Sequence, residues 1–94
     1  MEPDIAAKIA MDFGEGSLAG VALALAPLDE AKTGPRIVRC VVFLANGDMS
    51  KLRHFVGQAV KDYRDVIYWA EYDPAGRTRD FNQPFPHAAL PDRP

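Results

Sequence analysis

Two apolar segments separated by an amphipathic stretch constrain the fold of this chain more than any other feature. Residues 36–45 (RIVRCVVFLA) are rich in Val, Ile and Phe, and residues 66–72 (VIYWAEY) are rich in aromatic and β-branched side chains. Both compositions predict strands. Between them, the apolar residues of 49–63 recur at helical spacing, which predicts a helix. A strand, a helix and a strand in this order predict a right-handed parallel βαβ unit.

The segments on either side complete the predicted order ααβαββ. Residues 3–13 carry one apolar face, and residues 18–27 (LAGVALALAP) are dominated by Ala and Leu, so we expect two N-terminal helices. The Asp-Pro-Ala-Gly sequence at 73–76 predicts a turn that returns residues 77–81 as a short antiparallel edge strand. The predicted fold class is therefore α+β, with an α/β-like core.

The length of 94 residues is enough for one domain. We expect residues 1–81 to form a single globular α/β domain. Residues 82–94 (NQPFPHAALPDRP) are rich in proline, which cannot donate to the interior of a sheet. They are predicted to form a flexible C-terminal tail.

Charge and cysteine content exclude several classes of function. The formal net charge of -2 gives no general attraction to nucleic acid or to an anionic membrane. The single cysteine, Cys40, excludes an intramolecular disulfide and fits a reducing compartment. The apolar run 18–27 is too short to span a bilayer, and the residues before it are mainly acidic, unlike a secretory leader. We expect a cytoplasmic protein without a membrane partner.

A ligand site is predicted at the carboxyl ends of the two parallel strands, where open α/β sheets bind ligands. Asn46 and Asp48 follow the first predicted strand, and Glu71 and Asp73 end the second. Three carboxylates could hold a hard cation or act as acid and base. The alternative function is therefore a small metal- or ligand-dependent enzyme or binding protein. We nevertheless predict no catalytic residue, no metal ligand and no cofactor.

Each of these carboxylates also has a structural explanation to weigh against a site. Asp48 suits the N-cap of the following helix, and Asp73 suits an Asp-Pro turn. Glu71 has no such explanation, because it ends an otherwise apolar run. If Glu71 were a ligand, the Glu71→Gln substitution should abolish binding and leave the fold intact.

The function we expect is that of a small non-enzymatic protein–protein interaction or regulatory domain. Residues 37–44 would be apolar on both faces yet lie at a sheet edge, and such edges are usually covered. We expect this edge to pair with a second copy in a homodimer, or with another protein. The candidate interaction residues are Ile37, Val41, Phe43, Tyr68 and Trp69.

A second alternative is binding of single-stranded nucleic acid. Stacked aromatic side chains can hold unpaired bases, and six aromatic residues are close in the sequence: Tyr63, Tyr68, Trp69, Tyr72, Phe81 and Phe85. Acidic residues offset the arginines among them, so we favour core packing or a subunit contact.

The predicted first strand contains two further residues of interest, Arg39 and Cys40. Arg39 interrupts the apolar run, and we expect it either to extend its charged end to the surface or to form a structural ion pair with an acidic residue such as Glu71 or Asp65, rather than to bind a substrate. Cys40 lies in the middle of the run, and we expect a buried, inert thiol.

Overall fold

The computed structural model describes residues 1–85, and these are mostly helical. The helices are α1 (Pro3–Phe13), α2 (Leu18–Glu30), α3 (Pro35–Ala45), α4 (Met49–Lys61) and α5 (Tyr63–Glu71). A hairpin of two short antiparallel strands, β1 (Tyr72–Asp73) and β2 (Gly76–Arg77), follows α5. The predicted α+β class holds only in the coarse sense that helices and one short sheet are both present. The predicted order ααβαββ and the parallel βαβ unit are absent from residues 1–85.

The helices predicted at residues 3–13 and 49–63 and in the first part of α2 are confirmed. Helix α1 has Pro3 in its first turn and ends at Gly14, whose φ of 97° suits glycine. Helix α2 continues through Pro27 to Glu30 instead of stopping. Proline removes the hydrogen bond to the carbonyl of Leu23. Because Leu23 and Pro27 are both exposed, that carbonyl lies on the solvent side, where water can satisfy it.

The predicted first strand at 36–45 is wrong, because this segment is helix α3. Helix α3 contacts each of the other four helices. Its apolar residues lie on most sides of the helix, because other helices, and not sheet neighbours, surround it. Pro35 begins the helix, and Asn46, with a φ of 48°, ends it in the left-handed conformation.

The predicted second strand at 66–72 is also wrong. Residues 63–71 form α5. Asp62 is the N-cap of this helix, and its carboxylate accepts a hydrogen bond from the N–H of Arg64. Val66 and Ala70 are buried one turn apart, so helical spacing explains the apolar residues better than strand alternation does. The predicted edge strand at 77–81 is reduced to the end of β2.

Residues 78–85 run back over the helices without regular structure and insert Phe81 and Phe85 into the core. Residues 82–85 therefore belong to the packed domain, although the sequence assigned them to a flexible tail. The rest of that predicted tail, 86–94, lies outside the described residues. In the described part of the chain, no helix has both the length and the apolar character needed to cross a bilayer.

Candidate functional site

The predicted ligand residues Asn46 and Asp48 lie in the tight connection between α3 and α4. Asn46 ends α3, and Asp48 caps α4: its Oδ1 accepts hydrogen bonds from the N–H groups of Ser50, at 2.8 Å, and Lys51, at 3.1 Å. These bonds, together with one from the Ser50 hydroxyl, lower the pKa of Asp48. Both residues are therefore explained by helix termini.

Glu71 is the most buried of the four predicted ligand residues, with a side-chain exposure of 0%. Arg36 donates to it from Nε at 2.9 Å and from Nη2 at 2.7 Å, and Arg77 donates from Nε at 3.0 Å. The N–H of Phe81 donates at 3.1 Å, and the thiol of Cys40 lies 3.9 Å away. We call this group the Glu71 cluster.

The charge of Glu71 is set by competition between burial and hydrogen bonding. Burial opposes ionisation, but the Arg36 guanidinium, the N–H of Phe81 and Arg77 outweigh it, so the pKa of Glu71 lies below its ordinary value. Among residues 1–85, no buried side-chain nitrogen or oxygen lacks a hydrogen-bond partner. The carboxylate of Glu71 therefore offers no free oxygen to a ligand, and its contacts are those of a structural ion-pair network.

Asp73 lies in the hairpin, where its Oδ1 accepts a hydrogen bond from the N–H of Ala75 at 2.9 Å. The sheet edge that was expected to gather Asp73 with Asn46, Asp48 and Glu71 is not formed, since the predicted strands are helices. Within the described chain, no group of three or more His, Cys, Asp or Glu residues is placed to hold a metal ion.

A second buried ion pair, which the sequence indicated only in part, joins Arg39 to Asp4. Arg39 donates from Nε at 2.9 Å and from Nη2 at 3.1 Å to this carboxylate, and from Nη1 to the carbonyl of Phe81 at 3.1 Å. Asp4 also accepts from the N–H of Phe85 at 2.9 Å. The expectation of an ion pair for Arg39 is confirmed, but its partner is neither Glu71 nor Asp65. The partner was missed because Asp4 lies on the first helix, far away in the sequence.

Cys40 has the predicted environment of an inert thiol. It is fully buried, and burial together with the neighbouring Glu71 carboxylate raises the pKa of Cys40 to about 12. A thiol of this kind is protonated at neutral pH and shielded from reagents.

Three of the predicted interaction residues lie in or against the core. Ile37 and Val41 are buried in α3, and the half-buried ring of Phe43 packs against Phe81 at 5.2 Å between centroids. The Arg79 guanidinium covers Phe43 at 4.7 Å. An interface built on residues 37–44 would need these side chains on a surface, and in this fold they support the helices around them.

The other two predicted interaction residues, Tyr68 and Trp69, are exposed on α5. Tyr68 is 64% exposed and Trp69 is 42% exposed, and the neighbouring Tyr72 is 40% exposed. The rings of Tyr68 and Tyr72 stack at 5.5 Å with an angle of 20°, and Trp69 meets Phe55 of α4 edge-on at 6.0 Å. We call Tyr68, Trp69 and Tyr72 the aromatic face.

Two open grooves lie elsewhere on the surface. One, of about 440 Å³, lies between α1, α2 and the start of α3, and the other, of about 600 Å³, lies beside α3 and α5. They meet at residues 33–35, and Arg36, Tyr63 and Asn82 line the second. Neither groove is lined by any of the four predicted ligand residues, so the grooves give no support to the predicted ligand site.

In comparisons with known proteins, no family model, no curated protein and no solved structure matches this chain.

Proposed function

We propose that this protein is a small non-enzymatic interaction domain that binds a partner protein through the aromatic face. The observation that carries the proposal is the exposure of three adjacent aromatic side chains, Tyr68, Trp69 and Tyr72, in a chain with a thin core. Large aromatic side chains in contact with water are unfavourable and are typical of interaction surfaces, where Tyr and Trp supply much of the binding energy.

The helix that carries these rings is held rigidly on its opposite side. Val66 and Ala70 are fully buried, and Glu71 is fixed by the Glu71 cluster. A side chain mounted on a rigid helix loses little further freedom when a partner binds, which favours affinity. The hydrogen bonds that occupy the Glu71 carboxylate hold α5 in place, and they therefore support partner binding indirectly.

The size of the aromatic face favours a transient contact over a permanent one. An aromatic side chain buries roughly 150–250 Å² when it is fully covered, and a stable interface buries roughly 800 Å² on each partner. Three partly covered rings fall short of that area.

Self-association was first expected through residues 37–44, and the burial of Ile37 and Val41 removes the support for that route. If a homodimer forms, the aromatic face is the surface on which we expect it. Binding of nucleic acid has less support, because Phe81 and Phe85 are buried and cannot stack on bases. The cytoplasm remains the expected location, on the basis of the single cysteine.

The proposal is tested by selecting peptides from a random displayed library on the wild-type protein. We expect selected peptides to bind with a Kd of about 100 µM or tighter and to shift the emission of Trp69, the only tryptophan. The Tyr68→Ala and Trp69→Ala variants should each weaken binding at least about tenfold.

The matched control is Leu23→Ala, which removes an exposed apolar side chain from α2, a helix on a different part of the surface. Peptides that bind both aromatic variants as tightly as they bind the wild type would overturn the proposal. Circular dichroism of each variant confirms that the fold is kept.

A further inference from the structure

We infer that the partner segment bound by the aromatic face is basic, with arginine or lysine side chains over the rings; this inference rests on the proposed function. Two exposed carboxylates lie near the aromatic face. Asp65 precedes Tyr68 by three residues and Trp69 by four, so it lies beside them on the same side of α5. Asp73 directly follows Tyr72 in β1, so it is close to the face along the chain, although its side chain points to the opposite side of the strand from that of Tyr72.

Both of these carboxylates are available to a partner. Asp65 and Asp73 are exposed, and neither forms an ion pair with any residue in the range 1–85. The one side-chain hydrogen bond of Asp73, to the N–H of Ala75, uses Oδ1 and leaves Oδ2 open. A cationic side chain that reaches the rings beside Asp65 therefore meets a carboxylate without an ion-pair partner, and the charge of Asp73 adds a longer-range attraction.

The arginines nearest in the sequence do not neutralise these carboxylates, because each has another partner. Arg64 is paired with Asp62 through Nε at 3.0 Å and Nη2 at 2.9 Å. Arg77, which lies opposite Tyr72 in the hairpin, is paired with Glu71 and Asp80. Among the charged residues of α5 and the hairpin, the two without an ion-pair partner in residues 1–85 are Asp65 and Asp73, which are both negative.

The rings themselves also favour a cation. The faces of Tyr and Trp rings attract guanidinium and ammonium groups through their quadrupoles. The protein already uses this interaction internally, with Arg79 over Phe43 and Lys8 over Phe85. Two stacked tyrosines and a tryptophan beside the Asp65 carboxylate thus suit an arginine-bearing segment, through both ring stacking and charge.

The selection with the random peptide library also tests this inference. We expect the peptides that depend on Trp69 to be enriched in Arg and Lys relative to the starting library. In a synthetic peptide made from such a sequence, replacement of each Arg by the neutral isostere citrulline should weaken binding by about tenfold or more. The Asp65→Asn/Asp73→Asn double variant should weaken it to a similar degree.

The chain provides a matched control for the charge change. The Glu15→Gln/Glu30→Gln double variant also removes two exposed carboxylates, one from the α1–α2 connection and one from the last residue of α2, and it should bind the peptide like the wild type. Asparagine at 73 keeps an acceptor for the N–H of Ala75, so the hairpin is expected to persist in the test variant.

The possible failures are distinguishable. Peptides that need Trp69 but show no basic enrichment, or that bind the Asp65→Asn/Asp73→Asn variant as tightly as the wild type, would overturn the basic partner and leave the proposed function standing. Peptides that bind without Trp69 would overturn both. Sedimentation showing that two copies associate through Tyr68 and Trp69, with no affinity for basic peptides, would also overturn the basic partner.

Discussion

Arg36 donates two hydrogen bonds to Glu71, at 2.9 and 2.7 Å, and so joins α3 to the end of α5 across 35 residues of sequence. The same carboxylate accepts from Arg77 and from the N–H of Phe81. One buried anion therefore ties together the central helix, the aromatic helix and the segment that follows the hairpin.

We predict that Glu71→Gln destabilises the fold. Glutamine fits the same space, but it removes the negative charge, so the Arg36 guanidinium loses its ion-pair partner and Arg77 keeps only Asp80. Breaking a buried pair in this way is strongly destabilising, and partial exposure of both arginines moderates the loss. We expect the free energy of unfolding in urea to fall by about 2 to 3 kcal/mol.

Asp80→Asn is the matched control, because Asp80 contacts the same Arg77 from the exposed side. Its loss should cost less than about 0.5 kcal/mol. If the two variants were equally stable, the structural role of the Glu71 cluster would be contradicted. This outcome would also restore the sequence-based expectation that Glu71→Gln leaves the fold intact.

Stability should decrease at acid pH because folding lowers the pKa values of four carboxylates, Asp4, Asp48, Asp62 and Glu71, and two of them, Glu71 and Asp4, belong to ion pairs at the core. Burial opposes ionisation of Glu71 and of Asp4, but hydrogen bonds from Arg36 and from Arg39, respectively, outweigh it. A group whose pKa is lowered by folding stabilises the protein above its unfolded pKa and loses that contribution as the pH falls through the folded pKa.

The free energy of unfolding should therefore be nearly constant above about pH 5 and fall below the ordinary values, 4.5 for glutamate and 3.8 for aspartate. Urea unfolding measured between about pH 7 and pH 3 tests this expectation. The Glu71→Gln variant should show a shallower decline, because one of the four carboxylates is gone. An identical decline in the variant would exclude Glu71 as a source of the pH dependence.

The sequence predicted α1, α4 and the first part of α2, and missed the two helices rich in β-branched and aromatic residues, α3 and α5. Helix α1 has the expected bounds, and Asp48 caps α4 as expected. Helix α3 was predicted as a strand because its Val, Ile and Phe content is typical of strands. A signal for the helix was nevertheless present: Ile37, Cys40, Val41 and Leu44 follow helical spacing.

The candidate interaction residues divide between surface and core: Tyr68 and Trp69 are exposed, whereas Ile37 and Val41 are buried. A strand at 66–72 would place Tyr68 and Tyr72 on one face but roughly 13 Å apart, with Trp69 on the opposite face. The helix brings Tyr68 and Tyr72 together one turn apart, with Trp69 beside them. The stacking of these two rings could therefore not be predicted from the assigned secondary structure.

Gly47 should be intolerant of any side chain. It has a φ of 81°, and a Cβ atom built on it would lie 2.5 Å from the carbonyl oxygen of Asp12 at the end of α1. We expect Gly47→Ala to lower the free energy of unfolding by about 1 to 3 kcal/mol, through both backbone strain and the clash.

Gly57→Ala serves as the opposite control. Gly57 is exposed within α4, and an added Cβ would meet no atom within 4 Å. Alanine there should stabilise the protein by about 0.5 to 1 kcal/mol, because it favours the helix. Thermal unfolding of both variants should therefore show shifts in opposite directions. A stabilising Gly47→Ala would contradict the close approach of α1 to the α3–α4 connection.

Cys40 should resist alkylation in the native protein. The thiol is fully buried and its pKa is raised to about 12, so both access and thiolate are lacking. With iodoacetamide at about pH 8, we expect modification to be negligible in buffer and rapid in urea. Mass spectrometry follows the reaction, and rapid native modification would show that α3 is not enclosed as described.

Phe85 should contribute to stability, although the sequence placed it in a flexible tail. Its ring is buried against Phe81 at 5.5 Å, and its N–H donates to Asp4. Phe85→Ala should lower the free energy of unfolding by about 3 kcal/mol, the low end for a buried phenylalanine, because the site is at the edge of the core.

Gln83→Ala, at an exposed position of the same segment, is the control and should change the free energy of unfolding by less than about 0.5 kcal/mol. Equal stability of the two variants would mean that the packed domain ends before residue 82, as the sequence first indicated.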